Sequence, residues 1–382
     1  MINFLRSCTR NKNTYKSAYT PYRVYALPLF ILTQKVFIPT ENALLTLTKE
    51  RNEIGGCDSF KHSTEKLRGT PLSERPPQFP LLLEDNPDHM LSSEFKLYSL
   101  PSGRTHSLQL PEAQNKMFFG QLQGYLITFG TGDDSSPTLL NPFTRAKLPL
   151  PFGNCNYFSP IDMGTADPIR NPDGVIIHAR CPEKGHCLRF WNKEGNCWVS
   201  REASGLEGIF PGYARVCHKG RICVVGPAEL GKRRLFVVDL TSGGKLFDVE
   251  HPKHIGDFYC LVEAAGALLG IVQHHLRTDS VPLEKCWFEV YLLNEEENPP
   301  HWAKLSDIGD LMIFLNSNNG FCVSANGFDG IRGNCIYFTK WNGKDDHNSR
   351  TLIGRYELGE ERSEVVGHPR YTGGTWIVPN LY

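Results

Sequence analysis

The sequence predicts an all-β chain: a β-propeller of about six four-stranded blades, preceded by an irregular N-terminal leader. Three observations support this. From Leu81 onward the chain is a succession of short apolar runs separated by Gly, Asn and Asp, with almost no sustained helical periodicity, the pattern of many short strands. A turn glycine followed by a run of β-formers recurs along that stretch. So does an alternating strand that ends at a polar residue and a turn, and a fixed period of that length indicates a repeat architecture.

The glycines are Gly124 before YLITF, Gly174 before VIIHA, Gly220 before RICVV, Gly266 before ALLGIV and Gly333 before NCIYF. All five are assigned as structural turns, because a tight hairpin needs positive φ and glycine adopts it without a Cβ clash. The polar strand ends are Ser99, Asn141, Asn192, Asp239, Asn294 and Glu357. One glycine turn and one polar exit together make two hairpins, which is the content of a propeller blade. Such a blade buries its faces only against its neighbours, and radial stacking leaves its edges short and protected. The C-terminal TWIVPNLY (Thr375 to Tyr382) is expected to complete a blade with an N-terminal strand, with LLL (Leu81 to Leu83) leading into the first module. Two packed sandwiches would interrupt the repeat near its middle, and no interruption is visible.

Composition narrows the function. A chain of 382 residues, 40% apolar, buries a full core without a metal or disulfide staple. With 41 basic and 41 acidic residues it lacks the cationic surplus that displaces counterions from a polyanion, so no nucleic-acid partner is expected. The twelve cysteines have no zinc-knuckle spacing. The nearest cluster, Cys181, Cys187, Cys197, Cys217 and Cys223 with His186 and His218, reads as buried free thiols. No metal and no cofactor are expected, and a reducing, intracellular home (cytosol or nucleus) fits the cysteine usage.

Residues 1–40 hold six basic residues and no acidic one, so the rest of the chain is net −6. That composition resembles a transit peptide and makes mitochondrion or plastid the alternative location; a bland leader is the other reading. The apolar stretch from Val24 to Pro39 is broken by Pro28, Gln34 and Lys35, so no membrane partner is expected. The division that follows is a basic leader and linker over 1–70 and a propeller over 71–382.

Catalytic signatures are missing: there is no phosphate-cradling loop, no nucleophile elbow, no zinc helix and no Trp-Asp dipeptide. His274 and His275 are strand neighbours that point to opposite faces. Asp133-Asp134 and Asp345-Asp346 read as solvated turn carboxylates, and Trp191, Trp198, Trp287, Trp302, Trp341 and Trp376 as blade-packing residues. No catalytic residue is assigned.

Particular segments carry a resemblance. LLNPFTRAKLPLP (Leu139 to Pro151), FLNSNNGFCVSANGFDGIRGNCIYFT (Phe314 to Thr339) and IGRYELGEE (Ile353 to Glu361) are similar to segments of the plant KIB-type β-propeller family, a domain of unknown function often found behind an F-box. RPPQFPLLL (Arg75 to Leu83) resembles the start of that domain. The resemblance implies the client-binding domain of a ubiquitin-ligase substrate receptor. Residues 30–70 show no F-box pattern, with Gly55-Gly56 where a helix would continue, so a Skp-type adaptor is not expected. The expected function is a non-catalytic protein-interaction module with an unidentified protein client. The alternatives are an organelle-targeted regulatory propeller and a propeller enzyme of unknown reaction. Binding residues ride on loops held by a rigid scaffold. The longest modules run from Gly266 to Asn294 and from Gly333 to Glu357, so partner contacts are expected there, with Lys344, Asp345, Asp346 and His347 as the named candidates.

Overall fold

The computed structural model describes residues 33–34, 79–84, 93–122, 124–130, 136–151, 157–163, 175–181, 185–192, 194–202, 215–227, 233–239, 244–250, 258–264, 266–274, 281–315, 320–326, 328, 331–342, 350–369 and 374–377. Among them the elements are strands and two single 3-10 turns, Pro111–Ala113 and Leu283–Lys285, and no helix is long and apolar enough to cross a membrane.

The strands form six sheets. After β1 (Thr33–Gln34), blade 1 takes β2 (Leu81–Glu84), β3 (Glu94–Ser99) and β4 (Arg104–Gln109). Blade 2 is β5 (Lys116–Leu122), β6 (Tyr125–Gly130), β7 (Pro137–Leu140) and β8 (Lys147–Pro149). Blade 3 is β9 (Tyr157–Met163), β10 (Val175–Cys181), β11 (Gly185–Asn192) and β12 (Cys197–Glu202). Blade 4 is β13 (Arg215–His218), β14 (Arg221–Pro227), β15 (Arg233–Asp239) and β16 (Lys245–Glu250). Blade 5 is β17 (Phe258–Ala264), β18 (Ala267–His274), β19 (Trp287–Asn294) and β20 (His301–Leu305), with β1 parallel to its innermost strand. Blade 6 is β21 (Leu311–Leu315), β22 (Gly320–Ser324), β23 (Cys335–Asn342), β24 (Arg350–Glu357) and β25 (Arg362–Gly367). Finally β26 (Thr375–Ile377) returns to the inner edge of blade 1, antiparallel to β2.

The ring closes as the C-terminal strand pattern predicts. Six apolar clusters occupy six successive seams between neighbouring blades. The closing seam packs Leu82, Tyr98 and Trp376 of blade 1 against Met312, Phe314 and Tyr337 of blade 6. The seams differ in depth: eighteen buried residues join blades 5 and 6 but four join blades 3 and 4, among the described residues. At about 25 cal/mol per Å² of apolar surface removed from water, the former is the firmer base for a site.

Both predicted turn types have clear local causes. At the β13–β14 hairpin, Lys219 and Gly220 both take positive φ (49° and 70°), the two-residue turn whose twist matches the strands it joins. Gly124 and Gly266 also lie at positive φ, in the corresponding hairpins of blades 2 and 5, whereas Gly174 lies outside the described residues. Polar exits cap the outer hairpins. Asn141 Oδ1 accepts the N–H groups of Phe143 (2.9 Å) and Thr144 (3.0 Å), and Asn192 Oδ1 does the same for Glu194 (3.0 Å), which is why these strands end at a short amide side chain. In blades 2 to 5 the first and third connections share one face of the ring, here the turn face, and the second lies on the far face.

Blade 6 departs from the predicted four-stranded pattern. Its order is β22-β21-β23-β24-β25, with β21 and β23 parallel. Strand β22 folds back toward the axis and takes the innermost place beside β17. The chain then crosses over and starts β23 from the face where β21 began. Gly333 is therefore not a hairpin glycine: its φ is outside the left-handed region, which Asn334 occupies instead (55°). Gly333 is needed for close approach, because a Cβ there would lie 2.8 Å from Asp310 Cα. The Asp310 carboxylate secures the crossover by accepting from Ser324 Oγ (2.6 Å) and from the Asn326 side-chain amide. As a result the β24–β25 turn after Glu357 emerges on the far face, opposite the corresponding exits of blades 2 to 5.

Candidate functional site

Inversion of blade 6 brings three segments together on the far face. Ile308 N–H donates to Asn334 Oδ1 (3.0 Å), Leu358 N–H donates to the Asn334 carbonyl (3.1 Å), and Ser363 Oγ donates to the Cys286 carbonyl (2.6 Å). These bonds tie the start of β19, the end of β20 and the β24–β25 turn into one rim. Between them lies a groove of about 440 Å³, lined by residues 287–289, 304–306, Tyr356, Leu358 and Glu361. Its floor is continuous with the deepest seam: Phe288 packs on Phe338 (ring centroids 4.8 Å apart) and on Tyr356 (5.4 Å).

Trp287 stands at the edge of this groove with 37% of its surface exposed. The β18–β19 register sets His274 opposite Trp287, and the two rings stack at 3.5 Å with planes 3° apart. His274 is fixed in turn, its Nε2 hydrogen-bonded to Glu289 Oε2 (3.1 Å). The other Glu289 oxygen accepts from Lys304 Nζ (2.9 Å). Burial, reinforced by the Glu289 charge, pushes the neighbouring Tyr291 hydroxyl up to about 12, so it stays protonated. The indole is thus held in place before any partner arrives. A large, preorganised, half-open aromatic over an apolar floor is the composition of a binding hot spot.

A second polar cluster lies on the turn face, across the seam of blades 4 and 5. Glu295, just beyond β19, accepts from His218 Nε2 (3.1 Å), from Lys219 and from Arg221 (2.5 Å). His218 is 2% exposed, and its Nδ1 stands 3.9 Å from the Glu263 carboxylate. Burial pushes the imidazole below its ordinary pKa despite the opposing pull of Glu295. Glu295 is shared by His218, Lys219 and Arg221, and the cluster's position between two blades makes it an inter-blade clasp.

The sequence candidates fall as follows. Lys344, Asp345, Asp346 and His347 lie outside the described residues; the strand ends flanking them, Asn342 and Arg350, are on the turn face, away from the groove. The two longest modules both contribute to the groove, but through strand ends and the β24–β25 turn. Trp191 and Trp198 pack on each other within blade 3 and Trp376 packs across the closing seam on Phe314, whereas Trp287 is exposed at the groove edge. Strand alternation alone does not identify Trp287, since its place at a groove edge depends on the His274 ring stacked on it and on the blade 6 residues brought beside it. Among the described residues no group of three or more His, Cys, Asp and Glu is placed to hold a metal ion; the His178–His186 pair (2.8 Å) is joined by its own hydrogen bond.

In sequence, the family model for the KIB1-4 beta-propeller matches residues 97–362. No curated protein matches the chain. In structure the chain is similar to TolB from Acinetobacter baumannii at 10% identity and a TM-score of 0.43, covering 77% of this chain and 64% of that one. It therefore spans less than two thirds of the TolB chain. It is also similar to the Cps50 (Swd1) beta-propeller domain of Myceliophteria thermophila, at 11% identity, TM-score 0.36, and coverage of 73% and 81%. The beta-propeller domain of the Trilobed protease from Pyrococcus furiosus aligns at 13% identity, TM-score 0.31, with coverage of 64% and 67%.

Proposed function

The chain belongs to the KIB1-4 β-propeller family, and from that premise we propose that it is a non-catalytic protein-interaction module that holds a protein client at the far-face rim of blades 5 and 6. The propeller fold suits this role in general, because it sets loops and strand ends around a rigid ring. The observation that carries the specific reading is the clamped Trp287. It is one of three exposed large hydrophobics among the described residues, and it lines the groove. The other two, Val199 and Leu246, sit on the outer strands of blades 3 and 4.

Quantitative affinity purification compares the full chain with its Trp287→Ala and Leu246→Ala variants. The proposal expects a protein retained by the wild type and by Leu246→Ala to be lost with Trp287→Ala. Identical protein sets from all three chains would overturn it.

A further inference from the structure

We infer that the groove receives a basic segment of the client, with an Arg or Lys side chain laid along Trp287 and its cationic head at Glu361. This rests on the docking role proposed for the rim and adds the chemistry of the occupant.

Charge is the first argument. The three rim segments 283–289, 304–310 and 355–364 carry eight carboxylates and four Lys or Arg. Several of these are paired: Arg355 with Glu364, Arg362 with Glu360 and Glu364, Lys304 with Glu289, and Glu357 with Arg332 from outside the three segments. Glu361 lines the groove, is exposed, and makes no ion pair or hydrogen bond among the described residues. It sits in the β24–β25 turn at φ 49°, a backbone geometry set by the turn rather than by any contact of its carboxylate. The groove therefore contains one committed carboxylate, Glu289, and one open carboxylate.

The second argument is shape and surface. One face of the Trp287 indole is covered by His274, which leaves the other for a partner. A cation over an indole face is favoured by the ring quadrupole, and more strongly by Trp than by other aromatics. The buried Phe288, Tyr356 and Leu358 give an apolar floor that suits the methylene stem of a long basic side chain, while its head reaches the open carboxylate. An acidic occupant would meet a net negative rim, and a purely apolar one would leave Glu361 desolvated without a partner.

The test displays random linear peptides on phage, selects them on the immobilised full chain, and removes those that also bind the bare support. Recovered peptides are synthesised and titrated by fluorescence anisotropy against wild type, Trp287→Ala and Glu361→Gln, at low and raised salt. The expected peptides share an Arg or Lys, weaken on the order of tenfold on Glu361→Gln, and weaken further with salt. Glu361→Gln alters an exposed turn side chain, so its result does not hinge on whether Trp287→Ala folds. Acidic or uncharged peptides that need Trp287 but ignore Glu361 would overturn this inference and leave the docking role standing. Recovery of no peptide sensitive to either residue would remove both.

Discussion

Among the described glycines, the one with least room for a side chain lies beneath the groove, and it gives a prediction with a calculable size. Gly354 in β24 pairs across the ladder with Phe338 in β23, and the Phe338 ring lies flat over it. An alanine methyl at 354 would come within 2.7 Å of both Cε atoms of that ring and closer still to its Cζ. Carbon atoms rest at about 3.5–4.0 Å, so the ring must recede by roughly an ångström. Phe338 is fully buried and has Phe288 packed 4.8 Å away, so it cannot recede without displacing the groove floor. Overpacking of this kind costs about 1–3 kcal/mol. Gly354 is not in the left-handed region, so alanine also gains about 0.4–1 kcal/mol by restricting the unfolded chain. The net expectation for Gly354→Ala is a loss of about 1–2 kcal/mol, read as a lower urea midpoint at unchanged slope. Phe338→Leu opens space above residue 354, so the double variant should be less destabilised than the sum of the single ones, with a coupling of about 1 kcal/mol. Gly354→Ala as stable as the wild type, or strictly additive single changes, would refute this packing.

Other consequences are as direct. Because burial holds the His218 pKa below its ordinary 6.5, the unfolded chain takes up that proton first as pH falls. Stability is therefore flat above that value and drops below it, and His218→Gln should flatten the loss measured by urea midpoints between neutral pH and about pH 5. Glu295 adds to the acid loss: burial alone would raise it, but hydrogen bonds from Lys219 and His218 hold it below 4.5. Gln273 is buried with neither amide atom hydrogen-bonded, so Gln273→Met should raise the urea midpoint by the equivalent of about 1–2 kcal/mol; a drop would reveal a satisfied amide. Asn141→Ala removes a fully buried acceptor of two turn N–H groups and should cost about 1–3 kcal/mol, with Asn141→Asp recovering part of it in the same melt. Burial pushes the Cys223 thiol up to about 12, Cys335 to about 11, and Cys260 and Cys322 strongly upward, while Cys197 is exposed. Iodoacetamide mapped by mass spectrometry should modify Cys197 in the native chain and spare those four until denaturant is added.

The architecture was legible because its signals are local. A Lys-Gly pair demands a hairpin at Gly220, an Asn that caps its own turn ends a strand at Asn141, and both recur at blade spacing. The inverted blade was not legible, because pairing direction is decided by which strands share an edge and not by residue period. Gly333 looked like its counterparts in sequence, yet it serves close backbone approach to Asp310, and only the three-dimensional neighbour distinguishes the two uses of glycine. One signal was present: LMIFL in β21 is apolar throughout and buried at every position, as a strand flanked on both edges and covered on both faces requires. The groove escaped the sequence for the same reason. Glu361 comes to line one groove with Trp287 only because blade 6 turns its outer hairpin to the far face.

Closure of the six-bladed ring is what all of this stands on, and a disulfide trap tests it most directly. Leu83 of β2 and Thr375 of β26 face each other across the closing ladder, and opposed residues of antiparallel strands have Cβ atoms about 4.5–5.5 Å apart, near enough for a bond after slight adjustment. Mild oxidation of the Leu83→Cys, Thr375→Cys chain, followed by digestion and mass spectrometry, should yield a peptide linking positions 83 and 375 within one molecule, in an amount independent of protein concentration. Free thiols at both positions, or links that form only between molecules, would contradict the closed ring.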